Sequence, residues 1–480
     1  MTTQFDVKTV PLKLYNTAKR HKEVLTPLKN NTVALYTCGP TVYNYAHIGN
    51  FRTYIFEDLL RRTIQFFGMN VYQVMNLTDV DDKTIKGALA KGVSLNEFTQ
   101  TYKDAFFEDL RALNIQPAEA YPAATDFIDA MIQMIEVLIE KGFAYRGGDG
   151  SIYYAISKFP TYGCLSHLHL EDLQSGASHR VDNDEYEKDH VADFVLWKAY
   201  DEQRDGNIFW ESPFGKGRPG WHLECSAMAI QLLGQTIDIH VGGIDNMFPH
   251  HENEIAQSEA YSGKPFAKIW MHAEHLVVDG RKMSKSLGNF YVLRDLLNQG
   301  YSGPQIRYLL LQTHYKTSLN FSLAGLDAAK ESLNRLNGLI QRLLEIESTE
   351  KGNKVDLLIK QALISFAEPL ADDLNISVAL AALFDFVREI NGLCDANLLS
   401  KEEAEQVLEL LKRFDMVLGV LSFEKAVETI PQELHEALEK RLQARKDKNW
   451  ALADQLRDLI ISRGYVIEDT AHGVRLKKGG

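Results

Sequence analysis

Along the first 145 residues, short apolar runs alternate with apolar residues at helical spacing. TVALYTC, Thr32 to Cys38, reads as a buried strand. The next stretch, NFRTYIFEDLLRRTIQFFG, puts Phe51, Ile55 and Leu59 on one helical face and stops at Gly68. NVYQVMNL, Asn70 to Leu77, reads as the next strand. Strand, helix, strand at this spacing predicts a parallel α/β sheet. The pattern changes over residues 146–220, where turn signals surround short β-like runs, then HRVDNDEYEKDHVADF is polar and acidic and FGKGRPG is rich in glycine. An insertion with little regular helix is expected there. The α/β pattern returns with QTIDIHVGG, Gln235 to Gly243, as a strand and HHENEIAQSEAYSG as a helix.

From about Pro304 the apolar spacing is helical throughout, in RYLLLQTHYKT, LDAAKESLNRLNGLIQRLLEIE, VDLLIKQALISFAEPLADDL and SVALAALFDFVREINGL. A helical bundle is the expected arrangement, with EKGNK, Glu350 to Lys354, as a linker. From Pro431 two short helices and a small β-containing tail, ISRGYVIED, are expected. The fold class is therefore α/β. Residues 1–145 and 221–303 form one parallel-sheet domain, split by the insertion at 146–220. A bundle at 304–430 and a small mixed α/β unit at 431–480 follow.

Composition changes this picture little. The chain has 480 residues, 45% hydrophobic and 24% charged, with a net charge of −13. The acidic balance argues mildly against a bulk nucleic-acid binder but leaves room for a local basic face. No apolar run approaches the roughly 20 residues of a spanning helix, and the first residues lack the basic start and apolar region of a signal peptide. A protein without a membrane segment, resident in the cytoplasm, is the expectation. Four cysteines, Cys38, Cys164, Cys225 and Cys394, are too few for a disulfide scaffold.

Two short stretches carry nucleotide chemistry. TCGPTVYNYAHIGN, residues 37–50, joins a strand end to a helix start. Gly39 and Pro40 make a tight turn, and Gly49 keeps the backbone open between His47 and Asn50. A helix N-terminus with donors nearby suits a phosphate or sugar edge; Asn44 or Asn50 serving only as a helix cap is the plainer alternative. GRKMSKSLGN, residues 280–289, carries Lys282 and Lys285 beside small residues, which suits a reacting triphosphate.

A third constellation suits a metal. Cys38 lies in the first stretch, Cys225 in GWHLECSAM, and His250 with Glu254 in FPHHENEIAQS. Positions i and i+4 share a helical face, and two thiolates, an imidazole and a carboxylate make a plausible zinc set. His251 with Glu254 fits as well, at i, i+3, and His222 is a spare imidazole near Cys225. Spacing does not choose among them.

The first two stretches together resemble the paired signatures of class I aminoacyl-tRNA synthetases, which bind ATP on a Rossmann-type sheet. Asn50 departs from the usual histidine at the fourth position of the first motif. It can donate to a nucleotide but cannot become a cation. TCGPTVY, NLTDVDDK, GWHLECSAM, GGIDNMFPHHENE and KMSKSLGN resemble the cysteinyl-tRNA synthetase family in particular, and the likeness continues into ARKDKNWALADQLRDLIISRGYVIED.

That resemblance implies ATP-dependent joining of L-cysteine to tRNA(Cys) through a cysteinyl-adenylate, with Mg2+ accompanying ATP. It implies one zinc ion per chain on Cys38, Cys225, His250 and Glu254. It further implies that Gly39, Thr41, His47, Gly49, Asn50 and Lys285 bind ATP, with His47, Asn50, Lys282 and Lys285 catalytic. Thr78 and Asp245 would contact the amino acid. Trp221 either walls the amino-acid pocket or is an ordinary core residue. The acidic run Asp79 to Asp82 reads otherwise as helix capping. By the same resemblance the chain is a monomer and its last unit reads the anticodon. KRLQARKDK, Lys440 to Lys448, has five basic residues and one acidic, and Trp450 follows, a mixture that suits an unstacked RNA loop. A solvated helix face is the alternative. The family's tail often carries a Trp where this chain reads GVRLKK. Cys164 and Cys394 are left as structural. A related ligase that hands the same adenylate to an amino-sugar would lack the last unit.

Overall fold

The computed structural model describes residues 6–168, 193–284, 287–350, 355–425, 431–470 and 473–478. Contacts divide the chain into two compact units, Met1–Phe423 and Glu424–Gly480.

A hairpin of β1 (Lys13–Asn16) and β2 (His21–Val24) precedes β3 (Thr32–Thr37), helix α1 (Ile48–Phe66) and β4 (Asn70–Met75). Later come β9 (Ile237–Gly243) and β10 (Ala267–Ala273), and the four long strands form one parallel sheet in the order β10-β9-β3-β4. In this sheet Leu35 pairs with Ile239 and Thr37 with both Val241 and Met75. Alternate side chains enter different cores: Leu35, Ile239 and Met271 belong to one cluster, while Tyr36, Val74 and Trp270 belong to another. Both faces are thus covered, as parallel sheets require. The connections leave β3 in one direction towards β4 and in the other towards β9. The carboxyl ends of β3 and β9 therefore meet at a switch of strand order, where open α/β sheets hold ligands.

Helix α1 carries the expected apolar face, with Phe51, Ile55 and Leu59 buried. Its other faces are buried too. Arg52 donates to the carbonyls of Leu310 and His314, and Arg62 pairs with Asp58 at 2.7 Å. Arg307 pairs with the same Asp58. These charges tie α1 to the following helical segment, because a buried charge must be matched.

The stretch between the halves of the sheet forms an antiparallel sheet of β5 (Ala144–Arg146), β6 (Ile152–Tyr154), β7 (Phe194–Ala199) and β8 (Gly217–Pro219). Its core includes Tyr154, Leu196 and Trp197 with Met131 and Ile135 of α2 (Ile128–Glu140). The polar run from Asp182 to His190 lies outside the described residues. β11 (Leu276–Val278), β12 (Arg281–Lys282) and β13 (Leu319–Phe321) make a small three-stranded sheet.

Four long helices follow, at Leu323–Leu344, Val355–Ala371, Ile376–Asp395 and Lys401–Leu418. The last starts with a reciprocal cap between Ser400 and Glu403 and ends at Gly419 with φ 66°. The second unit pairs helices Gln432–Lys446 and Trp450–Ser462 with a hairpin of β14 (Tyr465–Thr470) and β15 (Gly473–Lys478). Among the described residues, no helix is long and apolar enough to cross a membrane.

Candidate functional site

Cys38 leaves the end of β3, its amide bonded to the Val241 carbonyl of β9 at 3.1 Å. Cys225 lies one turn into α3 (Trp221–Leu232). His250 lies in a kinked segment, Met247–His251, and Glu254 lies in the first turn of α4 (Glu252–Ser262). One ligand atom from each of these four residues lies within 4.8 Å of the others, and all four are buried. Cys38, His240, His251 and Glu254 satisfy the same test. The alternative left open by spacing is therefore real: His251 also reaches the centre, with its Nε2 3.3 Å from Cys38 Sγ.

These four donors sit close enough to share one ion. Glu254 Oε1 is 3.0 Å from His250 Nε2 yet makes no hydrogen bond. Burial opposes ionisation of Cys225, but the hydrogen bond from Cys38 and the neighbouring His250 overcome it and bring the thiol down to about 6. The same hydrogen bond and burial hold Cys38 well above its ordinary value. Burial also opposes the Glu254 carboxylate, and His240 and His250 outweigh it, lowering it to about 2. His250 is raised to about 10 by Glu254 and Cys225 against its own burial. His251 and His272 are driven down by burial and by neighbouring His240, His272 to about 3, and both stay neutral. A buried cluster of soft and borderline donors fits a zinc-type ion.

Sequence reasoning missed His240, 2.8 Å from Glu254 Oε2, and His272, 2.8 Å from His251 Nδ1. The signal for His240 was its place among the buried residues of β9, two positions after another polar residue, Asp238. Trp221 is 43% exposed, so it is no core residue, and it stacks on His250 at 4.2 Å and 19°. His222 meets the far nitrogen of His250, Nδ1 to Nδ1 2.9 Å.

Beside this cluster, His47 caps α1. Its Nδ1 accepts from the Asn50 amide at 3.2 Å, while Asn50 Oδ1 accepts from the His47 amide at 3.0 Å. The cap is thus His47 with Asn50 at the third helical position, not Asn50 or Asn44 as the capping residue. Because Nδ1 accepts, the neutral ring carries its proton on Nε2. A Cβ on Gly49 would lie 3.0 Å from the His47 ring and 3.4 Å from Met283 Cε, so the glycine lets the two stretches close on each other. A Cβ on Gly39 would meet the Asn76 carbonyl at 1.8 Å. Thr41 and Thr78 form an isolated parallel bridge. Lys282 is exposed on β12, and its carbonyl accepts from Asn289. Lys285 lies outside the described residues. Asp245, just past β9, is exposed and 3.4 Å from His275; it does not join the cluster.

In the second unit, Arg441, Arg445 and Arg457 line a cavity of about 290 Å³ with Ile461, Val466 and Ile467. Nε and one terminal nitrogen of Arg441 are buried without a hydrogen-bond partner.

Residues 24–331 match the family described as tRNA synthetases class I (C) catalytic domain. Residues 365–422 match the DALR domain, and 428–475 the cysteinyl-tRNA ligase anticodon binding domain. The cysteine–tRNA ligase of Protochlamydia amoebophila is 71% identical over 98% of this chain and 99% of its own length. The chain belongs to the cysteine–tRNA ligase family. The enzyme of that name from Chlamydia felis is 57% identical over 97% of the chain and 98% of its own length. Solved structures of other synthetases share the fold. Mycobacterium tuberculosis methionyl-tRNA synthetase with methionyl-adenylate is 16% identical with a TM-score of 0.59, over 81% of this chain and 90% of that one. The Agrobacterium radiobacter LeuRS–tRNA–LeuAMS complex is 13% identical with a TM-score of 0.60, over 82% and 85%.

Proposed function

We propose that this member of the cysteine–tRNA ligase family carries out its ATP-dependent ligation in two steps. The carboxylate of L-cysteine attacks the α-phosphate of ATP, giving cysteinyl-adenylate and pyrophosphate. A terminal ribose hydroxyl of tRNA(Cys) then attacks the carbonyl, taking the cysteinyl group and releasing AMP. Mg2+ accompanies the ATP.

The observation that carries this reading is the convergence of Cys38, Cys225, His250 and Glu254 beside the loop that runs into His47. Those four would hold zinc, and the histidines behind them would fix the ligand set. When bound, the ion supplies a soft partner that favours a thiolate over a hydroxyl, which is how cysteine is told from serine. Trp221, stacked on His250, walls the amino-acid pocket, with Thr78 and Asp245 contacting the substrate.

Around the nucleotide, Gly39, Thr41 and Gly49 let backbone approach the ligand. His47, with its proton on Nε2, donates to the phosphates, and Asn50 donates to the nucleotide while keeping the cap. Lys282 and Lys285 balance the charge that develops as pyrophosphate leaves. Most of the rate then comes from positioning and charge, with no dedicated general base.

The C-terminal cavity supports a tRNA partner. Two covered nitrogens of the half-buried Arg441 without partners call for an acceptor from outside, and the exposed Trp450 follows on the next helix. We divide the chain at 145/146, 220/221, 303/304 and 430/431, and read it as a cytoplasmic monomer.

Cysteine-dependent exchange of pyrophosphate into ATP tests the first step, and charging of tRNA(Cys) against an amino-sugar acceptor tests the second. Exchange that serine supports as well as cysteine does, or transfer to the amino-sugar alone, would refute the reading.

A further inference from the structure

The loop between Thr41 and His47 is held at both ends. The Val42 amide donates to the Thr78 carbonyl at 3.0 Å, and the Ile48 amide donates to the Tyr291 carbonyl at 3.0 Å. Between these anchors Tyr43 and Tyr45 are 37% and 40% exposed, and neither hydroxyl makes a hydrogen bond among the described residues. A lone exposed tyrosine needs no explanation, but these two belong to a larger array.

Each ring carries a cation. Lys83 Nζ lies over Tyr43 at 5.1 Å from the ring centre, and the Arg294 guanidinium lies over Tyr45 at 4.6 Å. Arg294 is fixed in turn by Glu108 at 2.8 Å and Asp109 at 3.4 Å. Tyr102 meets Tyr45 edge-on at 5.5 Å and 78°, and Lys91 lies 5.6 Å from the Tyr102 ring. Aromatic and basic groups thus run from the loop that ends at His47 onto the helices Asp82–Lys91 and Leu95–Ala112. On the first of these helices Lys83, Lys86 and Lys91 are exposed and make no ion pair among the described residues. The acids at its start are engaged: Asp81 caps it by accepting from the Thr84 amide at 2.8 Å, and Asp82 pairs with Lys198 at 3.2 Å and with Arg218.

Rings set beside cations suit a polyanion that has flat, unpaired rings of its own. A single-stranded nucleic acid has that chemistry, since its bases stack on aromatic faces while its phosphates meet the lysines. The second step of the ligation brings the unpaired 3′ end of tRNA(Cys) to this site, and Tyr45 stands two residues before His47. We propose that Tyr43 and Tyr45 are positioning residues that stack the unpaired 3′ end of tRNA(Cys) as it enters the site. The inference rests on the reading of tRNA as the acceptor and adds where its single strand is held.

The test measures equilibrium binding of the full chain to two RNAs: tRNA(Cys), and the same tRNA trimmed of its unpaired 3′ nucleotides. Tyr45→Ala should weaken the intact tRNA about fivefold to a hundredfold, the range of one lost stacked base. It should leave the trimmed RNA and cysteine-dependent pyrophosphate exchange as in the wild type. Tyr45→Phe keeps the ring without its hydroxyl and should bind both RNAs as the wild type does. Equal weakening of both RNAs, unchanged binding of the intact tRNA, a fall in exchange, or a phenylalanine variant as weak as the alanine one would each overturn the proposal. Should Tyr45→Ala fail to fold, Tyr43→Ala is read in the same way. A wild-type chain that exchanged pyrophosphate with cysteine but charged no tRNA(Cys) would instead sink the tRNA reading, and this inference with it.

Discussion

Glu254 Oε2 lies 2.8 Å from His240 Nε2, while Oε1 of the same carboxylate faces His250 at 3.0 Å without a hydrogen bond. His240 therefore fixes the rotation of the carboxylate and leaves Oε1 aimed at the centre. Ligands held from behind in this way bind metal more tightly. His240→Ala is expected to weaken zinc about tenfold to a hundredfold, measured by competition with a chelator of known affinity. Unchanged zinc affinity would show that Glu254 needs no such support.

How much of this was legible in the sequence differs from element to element. The strand ending at Thr37 and the helix bearing Phe51, Ile55 and Leu59 followed from apolar spacing, because each buries a regular face. The full burial of Arg52, Asp58 and Arg62 on that same helix did not, since their partners, Leu310, Arg307 and Met416, are hundreds of residues away. The four metal-type residues were found through resemblance. Spacing left His251 open, and the structure explains why: His251 does reach Cys38, through a second overlapping ligand set. Glu224 carries no signal in the sequence; its tertiary bond to Thr78, 146 residues away, distinguishes it.

Glu57 offers a pH test of the fold. It is fully buried in α1, and neither carboxylate oxygen has a hydrogen-bond partner. Burial raises its carboxyl well above the ordinary 4.5. A raised carboxyl means that the native state holds a proton the unfolded state has lost. Stability from this site is therefore full below 4.5 and falls as pH rises, by up to about 1.4 kcal/mol per unit, until the folded value is passed. Glu57→Gln removes that slope. The variant is expected to match the wild type near pH 4.5 and to exceed it at neutral pH in denaturant unfolding. Parallel stability curves for the two proteins would contradict the assignment.

Removing metal should separate selection from nucleotide binding. The candidate ligands Cys38, Cys225, His250 and Glu254 form one buried cluster, whereas His47 and Asn50 hold each other in a cap that needs no ion. Chelated protein is thus expected to bind ATP within about threefold of the loaded protein, since ordinary context effects are of that size. Its preference for cysteine over serine should fall to the level that shape alone provides, roughly tenfold to two-hundredfold at most. Calorimetry with each ligand checks both halves. Retention of full selectivity by metal-free protein would refute the assignment of the cluster.

Arg441 makes the sharpest case in the C-terminal unit. Its Nε and one terminal nitrogen are buried without partners, beside Arg445 and Arg457 and the aliphatic Ile461, Val466 and Ile467. A planar guanidinium among apolar walls can meet the edge of an unstacked base or a phosphate in two bonds, which an ammonium cannot do. Arg441→Ala is expected to weaken tRNA(Cys) by about 1–3 kcal/mol, and Arg441→Lys to recover little of the loss although the charge is restored. Cysteine-dependent pyrophosphate exchange should stay at the wild-type level in both variants, because that step needs no tRNA. Full recovery by lysine would reduce the role of this residue to bulk charge. An equal fall in exchange would show that the substitution acts on the whole protein rather than on the cavity.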